Sequence, residues 1–251
     1  MNKALTYILC VVFLKSLLLP TYASSDEVFF TKPICSSYEY LIPITSLSGA
    51  KLQSKPQNVY CSNQDIHRNE SQPHRVKMLS LLKRDDVKKI SIYAFTFNDE
   101  DMAEAICSAY KEHGVEVKLF LTNIKSKDGT IVPVSNSSTR DLIECFGKGS
   151  NALQYIGHSG GVLSFHPKLY IVEFKNSEYV SVFGSGHVGN GMTINFDHWL
   201  FHYGEIGDEL WSYNECLGNT INNMLAEQKG LLGAFPFFQS CHSGFDGPKK
   251  I

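Results

Sequence analysis

Excess charge of either sign is scarce. The 251-residue chain carries 23 basic and 25 acidic side chains, a formal net charge of −2. That balance excludes a protein that coats nucleic acid through a uniformly basic surface, while leaving room for a local basic groove. There is no CxxC, and no spacing of cysteine and histidine resembles a zinc site. No cluster of carboxylates suited to two metal ions is visible, and no internal repeat. Apolar residues make up 43%, aromatic residues 12% and charged residues 19% of the chain. A disordered polar chain, a collagen-like repeat and a multi-span membrane protein are thereby excluded. The length suits one domain, or two small ones.

The longest apolar run lies at the start. Met1 to Ser25 reads MNKALTYILCVVFLKSLLLPTYASS, with Lys3 ahead of the run Leu5 to Leu14 and small residues around Ala23. The run is too short to cross a bilayer unless Lys15 is submerged. Residues 1–23 therefore read as a cleaved secretory signal, and the protein as secreted or periplasmic. Cleavage leaves 21 basic and 25 acidic side chains. It also leaves six cysteines: Cys35, Cys61, Cys107, Cys145, Cys216 and Cys241. An even number in an exported chain suggests disulfides, with the pairing open. Cys107 falls within a predicted helix, a setting that equally suits a buried thiol.

Residues 24–74 form an irregular N-terminal extension rich in Ser, Pro, Asn and Gln, which Cys35 and Cys61 could pin. Asn69 and Asn136 head glycosylation sequons, meaningful only in a eukaryotic secretory pathway. Residues 75–230 carry the ordered pattern and 231–251 a C-terminal strap. Val76–Leu82 reads as a helix. Lys89–Phe97 reads as a buried strand, its aromatic stripe Tyr93, Phe95 and Phe97 packing the sheet. Asp99–His113 reads as a helix with Asn98 or Asp99 as cap and Gly114 as stop, and Val115–Leu121 as the next strand. This strand–helix–strand order predicts a parallel βαβ unit. A polar loop covers 125–139, followed by a helix at Thr139–Phe146. Strands are predicted at Leu153–Ile156, Phe165–Phe174, Tyr179–Phe183 and about Phe196–His202, and a helix over Glu205–Gln228. The fold class is α/β: a mixed, mostly parallel sheet flanked by helices.

The chemistry concentrates in one segment. His166, Lys168 and Tyr170 share a face of a predicted strand, because side chains alternate there. An imidazole beside an ammonium suits phosphate: the ammonium neutralises oxygens, and the imidazole can attack phosphorus or move a proton. After the next strand comes Gly184-Ser185-Gly186-His187, whose small residues let backbone and hydroxyl approach an anion. With the upstream βαβ unit, the pattern His166-x-Lys168, four residues, Glu173, then Gly184-Ser185-x-His187 resembles the phospholipase D superfamily over roughly residues 75–205. Two departures from the family pattern stand out. Glu173 replaces an aspartate and, on a regular strand, has the opposite parity to His166, so its role is supporting. His187 replaces an asparagine, and its imidazole can still donate to a phosphate oxygen. Asn195 and Asp197 fall where the family often carries an asparagine and an acid.

The resemblance implies a phospholipase D-like fold and a metal-independent phosphodiesterase with no cofactor. His166 would form a phosphohistidine, with Lys168 and Ser185 stabilising charge on the phosphoryl oxygens. One HxK motif in the chain implies a homodimer that shares one active site. The substrate would be a phosphodiester, nucleic acid ahead of phospholipid, with a non-catalytic phosphate-binding relative as a further alternative. Gly184-x-Gly186-x-x-Gly189 also matches a dinucleotide fingerprint, but no helix follows it. His198 and His202 alternate as on a strand, which makes them core or surface residues rather than metal ligands. His74 lies in a loop-like stretch and supports no role.

Overall fold

Several helices in this chain start where a side chain satisfies the free N–H groups of the first turn. The computed structural model describes residues 25–30, 72–125, 131–133, 135–156, 167–186, 188–189, 197–226 and 241. Helix α1 (Pro73–Leu82) opens on a proline, whose missing N–H costs nothing at that position. Helix α2 (Glu100–His113) is capped by Asp99, which accepts from Met102 N at 3.0 Å, and stops at Gly114 in the left-handed region (φ 63°). Helix α3 (Ser137–Phe146) begins with a reciprocal cap in which the Asn136 carbonyl accepts from Thr139 N and Thr139 Oγ1 accepts from Asn136 N. The Asn136 amide also donates to Phe97 O at 2.7 Å, so this sequon asparagine is engaged on both sides. Helix α4 spans Glu209–Ala226. Among the described residues no helix is long and apolar enough to cross a membrane.

The strands are β1 (Ser25–Phe30), β2 (Val87–Ala94), β3 (Phe97–Asn98), β4 (Glu116–Lys125), β5 (Ile131–Pro133), β6 (Leu153–Ile156), β7 (Lys168–Phe174), β8 (Glu178–Gly184), β9 (Val188–Gly189) and β10 (His198–Glu205). The main sheet runs β1-β10-β8-β7-β2-β4-β5, with β6 also on β4, and β3 pairs β9 separately. The predicted βαβ unit is there: β2 and β4 are parallel across α2. The sheet as a whole is mixed, but not mostly parallel. In it only β2–β4 and β4–β6 run parallel, while β1–β10, β10–β8, β8–β7, β7–β2 and β4–β5 are antiparallel. The short return Lys175–Ser177 can only make β7 and β8 antiparallel, while β7–β2 and β1–β10 join strands far apart in the sequence. Ser25–Phe30, inside the stretch read as irregular, is the edge strand, and β5 lies inside the predicted polar loop. The expected strand Lys89–Phe97 divides into β2 and β3.

Side chains alternate between two layers. Ile90, Ile92, Ala94, Tyr170, Val172, Phe174, Trp199 and Phe201 pack with α1, α2 and α3. Tyr93, Phe120, Leu169, Ile171 and Tyr179 pack on the other face with Ile221 of α4. The rings of Tyr93 and Phe120 stack there at 5.1 Å, the packing role expected of Tyr93. Cys107 is not a free thiol: it bridges to Cys145 and ties α2 to α3. Cys216 bridges to Cys241 and ties the C-terminal segment to α4. Cys35, Cys61, Asn69, residues 1–23 and most of the strap lie outside the described residues.

One buried ion pair clamps the helical layer. Arg75 donates to both Asp99 oxygens, at 2.8 and 3.0 Å, and to Asp101 at 2.6 Å. Burial opposes the charge of Arg75, yet its bonds to Asp99 and Asp101 hold it above its ordinary range. Arg75→Leu is expected to cost about 3–5 kcal/mol, the scale for removing one partner of a buried pair. Lys118→Gln, which breaks the exposed pair with Glu116, should cost less than about 1 kcal/mol. Urea unfolding measures both, and equal losses would show that the Arg75 clamp is not a buried-pair effect.

Candidate active site

Strand order brings the candidate residues to one end of the sheet. The ends of β2, β4 and β8 meet the starts of β7 and β10 there, and β1 finishes beside them with Phe30 opposite His198. Lys168 is the first residue of β7, paired with Ala94 at the end of β2. Gly184 closes β8 and pairs with Trp199 of β10. Ser185 follows, exposed, and Asp197 immediately precedes β10.

The turn after β8 is bolted to β10. Ser185 N donates to His198 O at 3.1 Å, and His198 N donates back to Ser185 Oγ at 3.2 Å. The Ser185 hydroxyl donates to Asp197 Oδ1 at 2.6 Å, a short charge-assisted bond. Further on, β9 is held against β3, with Phe97 opposite Val188 and Asn98 opposite Gly189. The glycines are required by the protein itself. A Cβ at Gly184 would stand 2.8 Å from both His198 O and the Trp199 ring. One at Gly186 would stand 2.7 Å from both Asp197 Oδ2 and the Trp199 ring. Neither spacing is tolerated by ordinary carbon contacts.

Lys168 is partly buried, and this burial pulls its ammonium below the ordinary lysine range. The Asp197 carboxylate works against that pull. Lys168, Ser185 and Asp197, from three strand ends, thus form one group in which an ammonium, a hydroxyl and a carboxylate interact. An ammonium at the mouth of a glycine turn can bind an oxyanion, and Asp197 sets both its charge and the hydroxyl's direction.

Glu173 stands elsewhere. It is 4% exposed at the other end of β7, 3.0 Å from Lys89, which also contacts Glu215 of α4 at 2.9 Å. Burial disfavours the charge on Lys89, but these two carboxylates hold it well above its ordinary range. This trio, with the bond from Asn214 to Ser181 at 2.7 Å, fastens α4 to the sheet. His166, His187 and Asn195 lie outside the described residues. His202, on a strand as predicted, pairs with Asp26 at 2.7 Å.

Solved structures similar to this chain include Nuc from Salmonella typhimurium, a phospholipase D family member. It shares 15% identity and a TM-score of 0.39, over 73% of this chain and 84% of that one. NucT from Helicobacter pylori shares 12% identity and a TM-score of 0.38, over 72% and 86%. Yeast tyrosyl-DNA phosphodiesterase shares 14% identity and a TM-score of 0.33, over 52% of this chain and 29% of that one. No protein-family model and no curated protein matches the sequence. Likeness at this level ties no residue of this chain to a residue of those proteins, so the chemistry is argued from the side chains.

Trp199 was not singled out by sequence reasoning, nor was His74, a fully buried imidazole stacked on it. A signal for His74 existed: Pro73 one residue earlier marks a helix start, which moves His74 out of the loop. The coupling of Lys168 to Asp197 predicts a pH effect. Asn in place of Asp197 can still accept from Ser185 but no longer opposes the burial of Lys168. In Asp197→Asn the Lys168 charge should therefore be lost at lower pH, and the alkaline limit of phosphate binding should move down. At neutral pH binding should be at least as tight, since a negative neighbour has gone. Calorimetric titration of phosphate across pH reads both effects; an alkaline limit that stays in place contradicts the coupling.

Proposed function

We propose that this protein is an exported, metal-independent phosphodiesterase of the phospholipase D type, working through a phosphohistidine. The observation that carries the reading is the convergence of Lys168, Ser185 and Asp197 at the sheet end where the HxK strand begins. In the sequence His166 precedes Lys168 by two residues, the HxK spacing on which the reading relies.

In the first step an imidazole nitrogen of His166 attacks phosphorus and the bond to the leaving oxygen breaks. A second imidazolium gives that oxygen its proton. Water then attacks the phosphohistidine, returning a proton to the second imidazole and freeing His166. Lys168 neutralises the phosphoryl oxygens as charge builds. Ser185 spends its hydroxyl proton on Asp197 in the resting arrangement. To reach a phosphoryl oxygen it must turn away from that carboxylate, which makes Asp197 the residue that holds the hydroxyl ready.

A single HxK motif supplies one imidazole, so the second belongs to His166 of a second copy, across a two-fold axis. His187, in the glycine turn, is the alternative acid within one chain. A nucleic acid is the leading substrate and a membrane phospholipid the alternative. The two disulfides fit export, since such bonds persist in oxidising compartments.

His166→Ala should abolish hydrolysis of bis(p-nitrophenyl) phosphate in EDTA and leave the fold intact. Retention of more than about a tenth of the rate, a barrier change of only ~1.4 kcal/mol, contradicts the assignment. Mixing wild type with excess His166→Ala should depress activity beyond simple dilution, because each heterodimer lacks one imidazole. An active monomer indifferent to the mutant would transfer the acid role to His187.

A further inference from the structure

Trp199 is fully buried, yet among the described residues its indole N–H has no acceptor. Among those residues no hydrogen bond pins the ring, and packing decides where it sits. One edge lies against Gly184 and Gly186 so closely that neither glycine can carry a Cβ. The His74 imidazole lies nearly parallel to the indole, with ring centres 5.6 Å apart and planes 14° from parallel. Tyr170, two residues beyond Lys168, approaches at 5.9 Å with its ring tilted.

His74 is itself unable to retreat. Pro73 fixes the first turn of α1, and the next residue, Arg75, grips Asp99 and Asp101. Rings packed at interior density transmit a displacement rather than absorb it. The start of α1 is thus linked through His74 and Trp199 to the Gly184–Gly186 turn, and through that turn to Ser185 and Asp197.

We infer that His74 is a positioning residue for the anion-binding turn, acting through Trp199 although it belongs to a helix remote from the HxK strand. Removing the imidazole opens a space beside the indole. The ring moves into it, the turn follows, and Ser185 and Asp197 lose their alignment with Lys168. The inference rests on the phosphodiesterase reading only for its kinetic arm; the anion-binding arm is independent of turnover.

The test uses Trp211→Phe protein, in which Trp199 is the remaining tryptophan of the two in the chain. Tungstate is titrated against Trp199 emission, and bis(p-nitrophenyl) phosphate hydrolysis is measured on the same samples. His74→Ala should weaken tungstate binding and lower kcat by about tenfold or more, while His74→Phe, which keeps a flat ring, should stay within about threefold of the parent, since misplacement by a fraction of an ångström has effects of this size. Leu82→Ala, a buried truncation at the far end of the same helix, should lower Tm but leave tungstate affinity within about twofold, as expected of distant sites. Parental tungstate affinity in His74→Ala overturns the inference, and so does an equal loss in Leu82→Ala. Failure of His74→Phe to restore binding also overturns it. If the parent binds tungstate but hydrolyses no phosphodiester, the enzymatic reading falls while the binding comparison still decides the role of His74. If the parent does not bind tungstate, both fall.

Discussion

The approach of the Gly184–Gly186 backbone to β10 governs the arrangement of charge at this end of the sheet. Any side chain at either glycine would collide with Trp199, and with His198 O or Asp197 as well. Because the turn lies this low, Ser185 can exchange bonds with His198 and reach Asp197 in one short contact. Because Asp197 is fixed there, its charge reaches Lys168 at the start of β7. The glycines are therefore a condition of the fold first. The grouping of Ser185, Asp197 and Lys168 follows from where they let the backbone go.

Polar groups are buried differently along the strands. At the far end, Lys89, Glu173 and Glu215 satisfy one another and join α4 to the sheet. Between α1 and α2, Arg75 satisfies Asp99, which also caps α2. In both groups opposite charges face one another across hydrogen bonds made inside the protein. At the strand starts Lys168 is held below its ordinary range by burial, against the pull of Asp197, and Ser185 beside them is exposed. Tyr93, over the Lys89 group, shows the other consequence of burial, its hydroxyl pushed up to about 12.

Much of this was legible where the information is local. The cap at Asp99, the stop at Gly114, the parallel pairing of β2 with β4, and the strand character of Leu153–Ile156 depend on nearby residues, and sequence carries them directly. Pairing between distant segments was not legible. β1 is six residues whose strand character comes from β10, more than 160 residues later, and nothing local marks it. The antiparallel majority of the sheet likewise depends on which strands become neighbours. Cys107 looked equally suited to a thiol because its partner lies on the next helix. The stack of His74 on Trp199 joins residues 125 positions apart, and no periodicity records such a contact.

The central claim is that a nitrogen of His166 becomes bonded to phosphorus. Rapid quench of the protein with a slow phosphodiester into alkali, where phosphohistidine survives, followed by peptide mass spectrometry, examines that bond directly. A phosphoryl adduct on the peptide containing His166, formed and lost at rates that match turnover, is the predicted result. Turnover without an adduct, or an adduct on another residue such as Ser185, would contradict it.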